Sequence, residues 1–145
     1  MSPTGLLRYA RGDTEGVLLA GVVAVLHGAA VLFMLTGALV AVRRPWLLVV
    51  HAPVALAILA VNLAGADCPL TTLELELRER AGAPAYGDGF LGHHVFGPVG
   101  LDVAATGTQL GVYAAAFGLN ALGYGLVVTR ALRRCGRQAP VQGPA

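Results

Sequence analysis

Four histidines, two cysteines and a small number of carboxylates supply the chemistry that this sequence could perform. His27 and His51 stand inside long apolar stretches, whereas His93 and His94 are adjacent in a more polar segment. Neutral imidazole is a common ligand of haem iron and metal ions, and it exchanges protons near neutral pH. These residues indicate three kinds of chemistry, namely haem or metal binding, proton transfer, and thiol chemistry at Cys68.

A single haem held by His27 and His51 would need both rings at a similar depth in a bilayer. If each apolar stretch is centred, His27 lies about 3 Å outside the midplane and His51 about 7 Å inside it, at about 1.5 Å per residue. Adjacent histidines on a helix point about 100° apart, so His93 and His94 would need further ligands, such as Cys68 or Glu74, to hold a metal. No cofactor is therefore predicted, and haem or a metal ion stays open as an alternative.

Cys68 is the candidate nucleophile, because a thiol becomes reactive once a neighbouring base removes its proton. Pro69 follows it directly, and a helix start explains this pair of residues equally well. The sequence contains no phosphate-binding loop, no Ser-His-Asp pattern and no metalloprotease motif. A non-enzymatic protein is therefore the favoured interpretation.

The elements that must position these residues are long apolar helices. Hydrophobic residues make up 56% of the 145 residues and charged residues only 12%, which is outside the range of a soluble globular domain. The stretches 16–42, 46–65 and 103–129 contain no charged residue. Each is long enough to cross a hydrocarbon core about 30 Å thick, which needs about 20 helical residues. The sequence predicts an all-α, multi-pass membrane protein, a single domain with three transmembrane helices and a disordered tail over about 135–145.

Polar side chains inside these stretches predict the inner face of the helix bundle, because unpaired polar groups are costly in hydrocarbon. The predicted intramembrane polar site comprises His27, His51, Asn62, Gln109, Tyr113, Asn120 and Tyr124. Hydrogen bonds between helices would explain it, and so would a cavity for a proton, an ion, haem or a small ligand. Gly16, Ala20, Ala24 and Gly28 recur at intervals of four and predict a close helix contact.

Residues 66–102 form the longest loop, with a short helix predicted over about 72–81. Thr71 and Glu74 have the spacing of a capping box, in which each side chain bonds a free backbone N–H at a helix start. Leucines on one side make this helix amphipathic, so we expect it to lie at the membrane surface. The segment 90–101 is too short to cross a bilayer alone and is interpreted as interfacial or re-entrant.

The arginines predict the orientation. Arg43 and Arg44 lie between the first two stretches and four more arginines follow the third, whereas all eight acids lie in the N-terminal arm or in the 66–102 loop. Positive charge marks the cytoplasmic side, so we expect the N-terminus outside and the C-terminus inside a bacterial plasma membrane. The net charge of +2 predicts no nucleic-acid partner.

The run Cys-Pro-Leu-Thr-Thr-Leu-Glu at 68–74 resembles the hallmark of a family of small bacterial membrane proteins catalogued as domain of unknown function 2784. The resemblance covers about residues 17–134 and implies the architecture, since the family has no activity to transfer. The candidate outer-loop site consists of Cys68, Thr71, Glu74, Arg78, Tyr86 and His94.

We expect a non-enzymatic accessory or structural membrane component that presents its loop and its small-residue helix faces to a second copy or to a larger membrane complex. The alternative is a haem- or metal-binding redox module, or a proton-linked module, that uses the intramembrane histidines.

Overall fold

The structure is a computed structural model that describes the backbone of residues 3–137 and the side chains of residues 14–137. Throughout this part the chain is all-α, without a strand. The helices are α1 (Pro3–Ala41), α2 (Leu48–Leu63), α3 (Pro69–Arg80), α4 (Gly89–Leu91) and α5 (Thr106–Arg137), and single turns of 3₁₀ or π helix cover Pro45–Leu47, Gly92–Phe96 and Gly97–Val99.

Three helical segments are long and apolar enough to cross a membrane, which confirms the predicted fold class. They are Thr14–Ala41, Pro45–Leu63 and Thr106–Arg137. Large apolar side chains such as Val25, Val49 and Leu110 are exposed along them, as expected of helices surrounded by lipid. Helix α5 continues to Arg137, two residues beyond the start of the predicted tail, and residues 138–145 of that tail lie outside the described residues.

Helix α1 is the centre of the bundle, since α2, α3 and α5 all pack against it. We call the end that holds Arg43, Arg44 and Arg130 the arginine end, and the opposite end, formed by residues 64–105, the loop end. Near the arginine end α5 approaches α1 closely, because a Cβ added to Gly123 would lie 2.6 Å from the backbone carbon of Ala38. Glycine at this position therefore sets the spacing of the two helices.

At the loop end, α3 runs antiparallel to α1 along its small-residue face. Cys68, just before α3, lies against His27, and Ala81, just after it, lies against Gly16. The face that contains Ala20, which is 2% exposed, is therefore covered by the loop rather than by another transmembrane helix.

The expected capping box is wrong. Helix α3 begins at Pro69, so Cys68 rather than Thr71 is the residue before its first turn, and no side chain caps the helix. Pro69 fits the first turn because that position leaves its N–H unbonded in any case. The start of the helix three residues earlier leaves the Glu74 side chain available for a different partner.

Candidate functional site

The loop end contains a fully buried carboxylate with a histidine as its partner. Glu74 is 0% exposed, and its Oε1 lies 3.0 Å from Nε2 of His94, whose side chain is 31% exposed. Arg78, one turn after Glu74 on α3, brings a guanidinium nitrogen to 3.8 Å from the same oxygen. A buried carboxylate requires such partners, because removing its charge from water is otherwise very costly.

The position of Glu74 follows from the packing of α3. Glu74 and Ala81 are buried seven residues apart, two helical turns, and therefore share one face. Ala81 meets Gly16 of α1 so closely that an added Cβ on Gly16 would lie 2.8 Å from the Cβ of Ala81. Because both residues are small, α3 approaches α1 closely and encloses Glu74.

Tyr86 adds an aromatic ring and a second buried polar atom to this cluster. Its ring stacks on His93 at a centroid distance of 4.1 Å, and the Arg78 guanidinium carbon lies 5.4 Å from the ring centroid. Burial raises the pKa of the Tyr86 hydroxyl, and the nearby Glu74 carboxylate raises it further. The hydroxyl is therefore a hydrogen-bond donor at neutral pH.

Two atoms of the cluster keep hydrogen-bonding capacity. Oε2 of Glu74 and the hydroxyl of Tyr86 are buried, and neither has a hydrogen bond of good geometry among the described residues. The carboxylate is nevertheless near enough to raise the pKa of the phenol.

The pKa of His93 is lowered, and this favours a neutral ring. His93 is exposed as a residue, so the desolvation of its ring is partial. This desolvation is still the largest cause, followed by the charges of His94 and Arg78, while Glu74 and Asp88 act in the opposite direction. Two adjacent imidazoles near a guanidinium thus disfavour a second positive charge at the loop end.

A second polar pair lies on the α1 side of the loop end. Nε2 of His27 is 3.5 Å from Sγ of Cys68, and the imidazole stacks on Phe90 at a centroid distance of 4.0 Å. His27 is 7% exposed, and its Nδ1 has no hydrogen-bond partner among the described residues. Phe90 is also 4.8 Å from the ring of His94, so it separates the thiol pair from the Glu74 cluster.

The remaining buried histidine joins three helices near the arginine end. Nδ1 of His51 lies 2.7 Å from the Tyr124 hydroxyl, and its Nε2 lies 3.1 Å from the backbone oxygen of Met34. Asn120 donates to the same Met34 oxygen at 3.1 Å. His51 occupies the space beside Gly37, where an added Cβ would overlap its ring. These contacts link α1, α2 and α5 by hydrogen bonds.

The structure does not bring together every residue of the predicted sites. Asn62 is exposed and donates to Ile58 O of its own helix, and Tyr113 is 50% exposed. Gln109 is also exposed, and Thr71 is half-buried on the first turn of α3. The described polar residues therefore form two interhelical groups, one around His51 and one at the loop end, rather than one continuous inner stripe.

Sequence reasoning missed the residues that meet across long separations. His27 and Cys68 are 41 residues apart, and no spacing rule links them. The role of the Met34 backbone oxygen as a hydrogen-bond acceptor for His51 and Asn120 cannot be predicted from residue types, because every residue has this oxygen. Phe90 is not among the predicted site residues, because an aromatic residue in an apolar segment has no distinctive pattern. Its neighbours His93 and His94 are the signal that could have indicated it.

The metal-binding residue types do not converge. No group of three His, Cys, Asp or Glu side chains within the described residues is arranged to hold a metal ion. His27 packs against the loop end, whereas His51 packs beside Gly37, ten residues or about 15 Å further along α1. These two histidines do not face one another.

Comparison with known proteins gives one match. A family model described as Protein of Unknown function (DUF2784) matches residues 17–125, which is most of the chain. No curated protein and no solved structure matches.

Proposed function

We propose that this chain, which belongs to the DUF2784 family of proteins of unknown function, is a non-enzymatic accessory component of a membrane that recognises a protein partner at its loop end. The supporting observation is the fully buried Glu74 carboxylate, which holds the partly exposed His94 at 3.0 Å. Such a carboxylate fixes the orientation and tautomer of an imidazole. The loop end thereby offers a preformed hydrogen-bonding group.

The exposure of these groups favours recognition over catalysis. Glu74 is 0% exposed and cannot reach a substrate, whereas the side chains of Arg78 and His94 are 23% and 31% exposed. Arginine and tyrosine are enriched where protein interfaces gain most of their energy, and here Arg78 lies over Tyr86. Because α3 is already packed on α1, little conformational entropy is lost when a partner binds.

The proposal includes a location. The three long helices cross the bacterial plasma membrane with the loop end outside and the arginine end in the cytoplasm, as part of a homo-oligomer or a larger membrane complex. The segregation of arginines and acids supports this orientation. Reporter domains fused after Arg80 and after Arg134 should read external and cytoplasmic, respectively, and the reverse result would refute it.

The test is crosslinking in native membranes, followed by purification of the full chain. Glu74→Gln keeps the side-chain shape but replaces the carboxylate with an amide. Glu76→Gln makes the same change two residues away, at a side chain that is 54% exposed. We expect the wild type and Glu76→Gln to recover the same neighbour, and Glu74→Gln at least about tenfold less of it, from equal amounts of folded protein.

Two outcomes would end the proposal. One is a wild-type protein that is monomeric and recovers no specific neighbour. The other is equal recovery by the two variants. Co-expression of two differently tagged copies shows whether the recovered neighbour is a second copy of this chain.

A second candidate function is thiol chemistry at Cys68, and the 3.5 Å contact with His27 favours it. Transfer of the thiol proton to Nε2 of His27 would give a thiolate beside an imidazolium, the pairing that activates nucleophilic cysteines. The other cysteine, Cys135, is exposed, so a Cys135→Ser background isolates the reaction.

Alkylation by iodoacetamide tests this candidate, since the thiolate sulfur forms the new S–C bond and iodide leaves. If His27 acts as the base, His27→Phe keeps the ring stack on Phe90 but slows alkylation of Cys68 by about tenfold or more. An unchanged or faster rate in that variant would show that His27 only packs there.

The alternative of a haem- or metal-binding redox module receives less support from the geometry. Two nitrogen ligands of one metal lie at most about 4 Å apart when each bond is about 2 Å. His27 and His51 instead belong to groups at different levels of α1. A Soret absorbance or a stoichiometric metal in purified protein, lost in His27→Ala, would favour this alternative over the accessory role.

A further inference from the structure

The arginine end contains a basic cleft between two helices. Arg43, in the turn after α1, and Arg130 and Arg134 of α5 line a cavity of about 90 Å³, together with Val42, Pro45 and Val127. This volume is several times the roughly 10–15 Å³ that one water requires, so a group of several heavy atoms fits. A groove of about 280 Å³ continues along α5 past Arg133 and Arg137.

Among the described residues, no acidic side chain pairs with the arginines of this cleft. All eight acids of the sequence lie before residue 16 or within 67–102, so none belongs to the segments that form the arginine end. The ion pairs of the described residues involve only Glu74 and Glu76 as acids, both in α3. Arg130 donates to the Val42 backbone oxygen at 2.9 Å, which fixes one guanidinium at the wall of the cleft. Arg43 and Arg134 line the same cleft as this fixed guanidinium, and three arginines around one cleft favour a bound anion.

The position of the cleft at the end of the apolar spans indicates which anion it would bind. The apolar span of α1 ends at Ala41, and Trp46, only three residues after Arg43, is 60% exposed. Exposed tryptophan is typical of the boundary between hydrocarbon and headgroups. With the apolar spans in a bilayer, this end of the bundle would lie at the level of the lipid phosphates. Exposed apolar side chains of α1 and α5, such as Val40 and Val128, would then face the acyl chains.

We propose that this cleft binds the phosphate group of an anionic phospholipid from the adjacent leaflet. Arginine suits this ligand because its planar fork matches two phosphate oxygens, and basic pockets between transmembrane helices recognise lipid headgroups. This inference depends on the proposed function only for the membrane location. It does not involve the loop end, so a failure to find a protein partner there would leave the lipid site untouched.

The experiment follows thermal unfolding of the full chain in non-ionic detergent during titration with phosphatidylglycerol, phosphatidylcholine of the same acyl chains, or inorganic phosphate. We expect phosphatidylglycerol alone to raise the unfolding midpoint. Arg43→Gln/Arg134→Gln should weaken its apparent affinity roughly 30-fold. Arg130 is kept because it also bonds Val42.

The matched control is Arg44→Gln/Arg133→Gln, which removes the same charge from the same end. Neither residue lines the cleft of about 90 Å³, and Arg133 lines only the adjoining groove. This control should retain the affinity within about threefold. Equal weakening by both variants would mean attraction to net charge only, and an equal response to inorganic phosphate would mean a general anion site. Either result overturns the proposal, as does a wild type whose unfolding midpoint does not respond to phosphatidylglycerol.

A second variant, Arg43→Lys/Arg134→Lys, keeps the positive charge but loses the planar guanidinium fork. It should bind phosphatidylglycerol with intermediate affinity, and this distinguishes lost recognition from lost folding.

Discussion

Oε1 of Glu74 and Nε2 of His94 lie 3.0 Å apart, with the carboxylate fully buried and the imidazole partly exposed. The two residues are twenty positions apart, one on α3 and the other in the turn of π helix after α4. Their contact therefore ties the two halves of the loop to one another. Together with Arg78 and Tyr86 it makes the loop end a fixed structure on α1 rather than a loose connection.

Loss of the carboxylate should loosen this structure. Glu74→Ala removes the partner of both His94 and Arg78 and leaves space beside Tyr86, so we expect a loss of about 1–3 kcal/mol in the free energy of unfolding. Unfolding in detergent, followed by circular dichroism, measures this loss. Glu76→Ala should change stability by less than about 0.5 kcal/mol, because its ion pair with Arg80 is exposed. Equal effects of the two substitutions would contradict a structural role for Glu74.

The lowered pKa of His93 predicts a pH dependence with a definite sign. The unfolded chain, with a His93 pKa near 6.5, takes up this proton more readily than the folded chain. The contribution of His93 to stability is therefore present above about pH 6.5 and is lost as the pH falls below it. We expect the unfolding midpoint to drop between pH 7.5 and pH 5.5, and to drop less in His93→Gln. An identical pH profile for the variant would show that His93 does not contribute.

The hydroxyl of Tyr124 should matter more than that of Tyr113. Tyr124→Phe leaves Nδ1 of the buried His51 without its 2.7 Å partner, and hydrogen bonds between transmembrane helices average about 0.6 kcal/mol, with a maximum of about 1.7. Tyr113→Phe makes the same chemical change at a side chain that is 50% exposed, so it should be neutral. Chemical unfolding of both variants in detergent measures the difference, and no difference would argue against the His51–Tyr124 link.

Gly123 and Gly111 on α5 provide a test of helix spacing. The Cβ of Gly123→Ala would lie 2.6 Å from the Ala38 backbone, so α5 must move away from α1, at a cost of about 1–3 kcal/mol. Gly111→Ala meets nothing within 4 Å and should be neutral or slightly stabilising. Both variants are read by the same unfolding assay, and a tolerated Gly123→Ala would mean that the helices pack less closely than described.

The sequence was sufficient for the fold because each long helix carries its own signal. Apolar length predicted the three spans, because a helix of that length satisfies all of its backbone hydrogen bonds within the segment and can cross lipid. The loop-end contacts depend on where distant segments meet, which composition does not encode. Thr71 and Glu74 show the difference, since their spacing fits a capping box, whereas the helix starts at Pro69 and Glu74 faces His94.

The candidate residues that the structure brings together are those that lie where two helices are in contact. His51, Asn120 and Tyr124 meet at α1 because Gly37 and Gly123 permit close approach there. Gln109 and Tyr113 share the side of α5 predicted from a helical wheel, yet both are exposed. A helical wheel predicts which side of a helix faces its neighbours. How much of that side is buried along the helix depends on where α1 packs against α5.

The central claim is that the Glu74 cluster presents the loop end to a protein partner. Its most direct test replaces Val95, which is 45% exposed beside His94, with a photo-crosslinking residue in native membranes, and does the same at Phe117, which is 58% exposed on α5. The account predicts one discrete adduct from position 95, absent from position 117 and lost when Glu74→Gln is added. The claim is contradicted if position 95 gives no adduct. It is also contradicted if positions 95 and 117 give the same adduct, whether residue 74 is Glu or Gln.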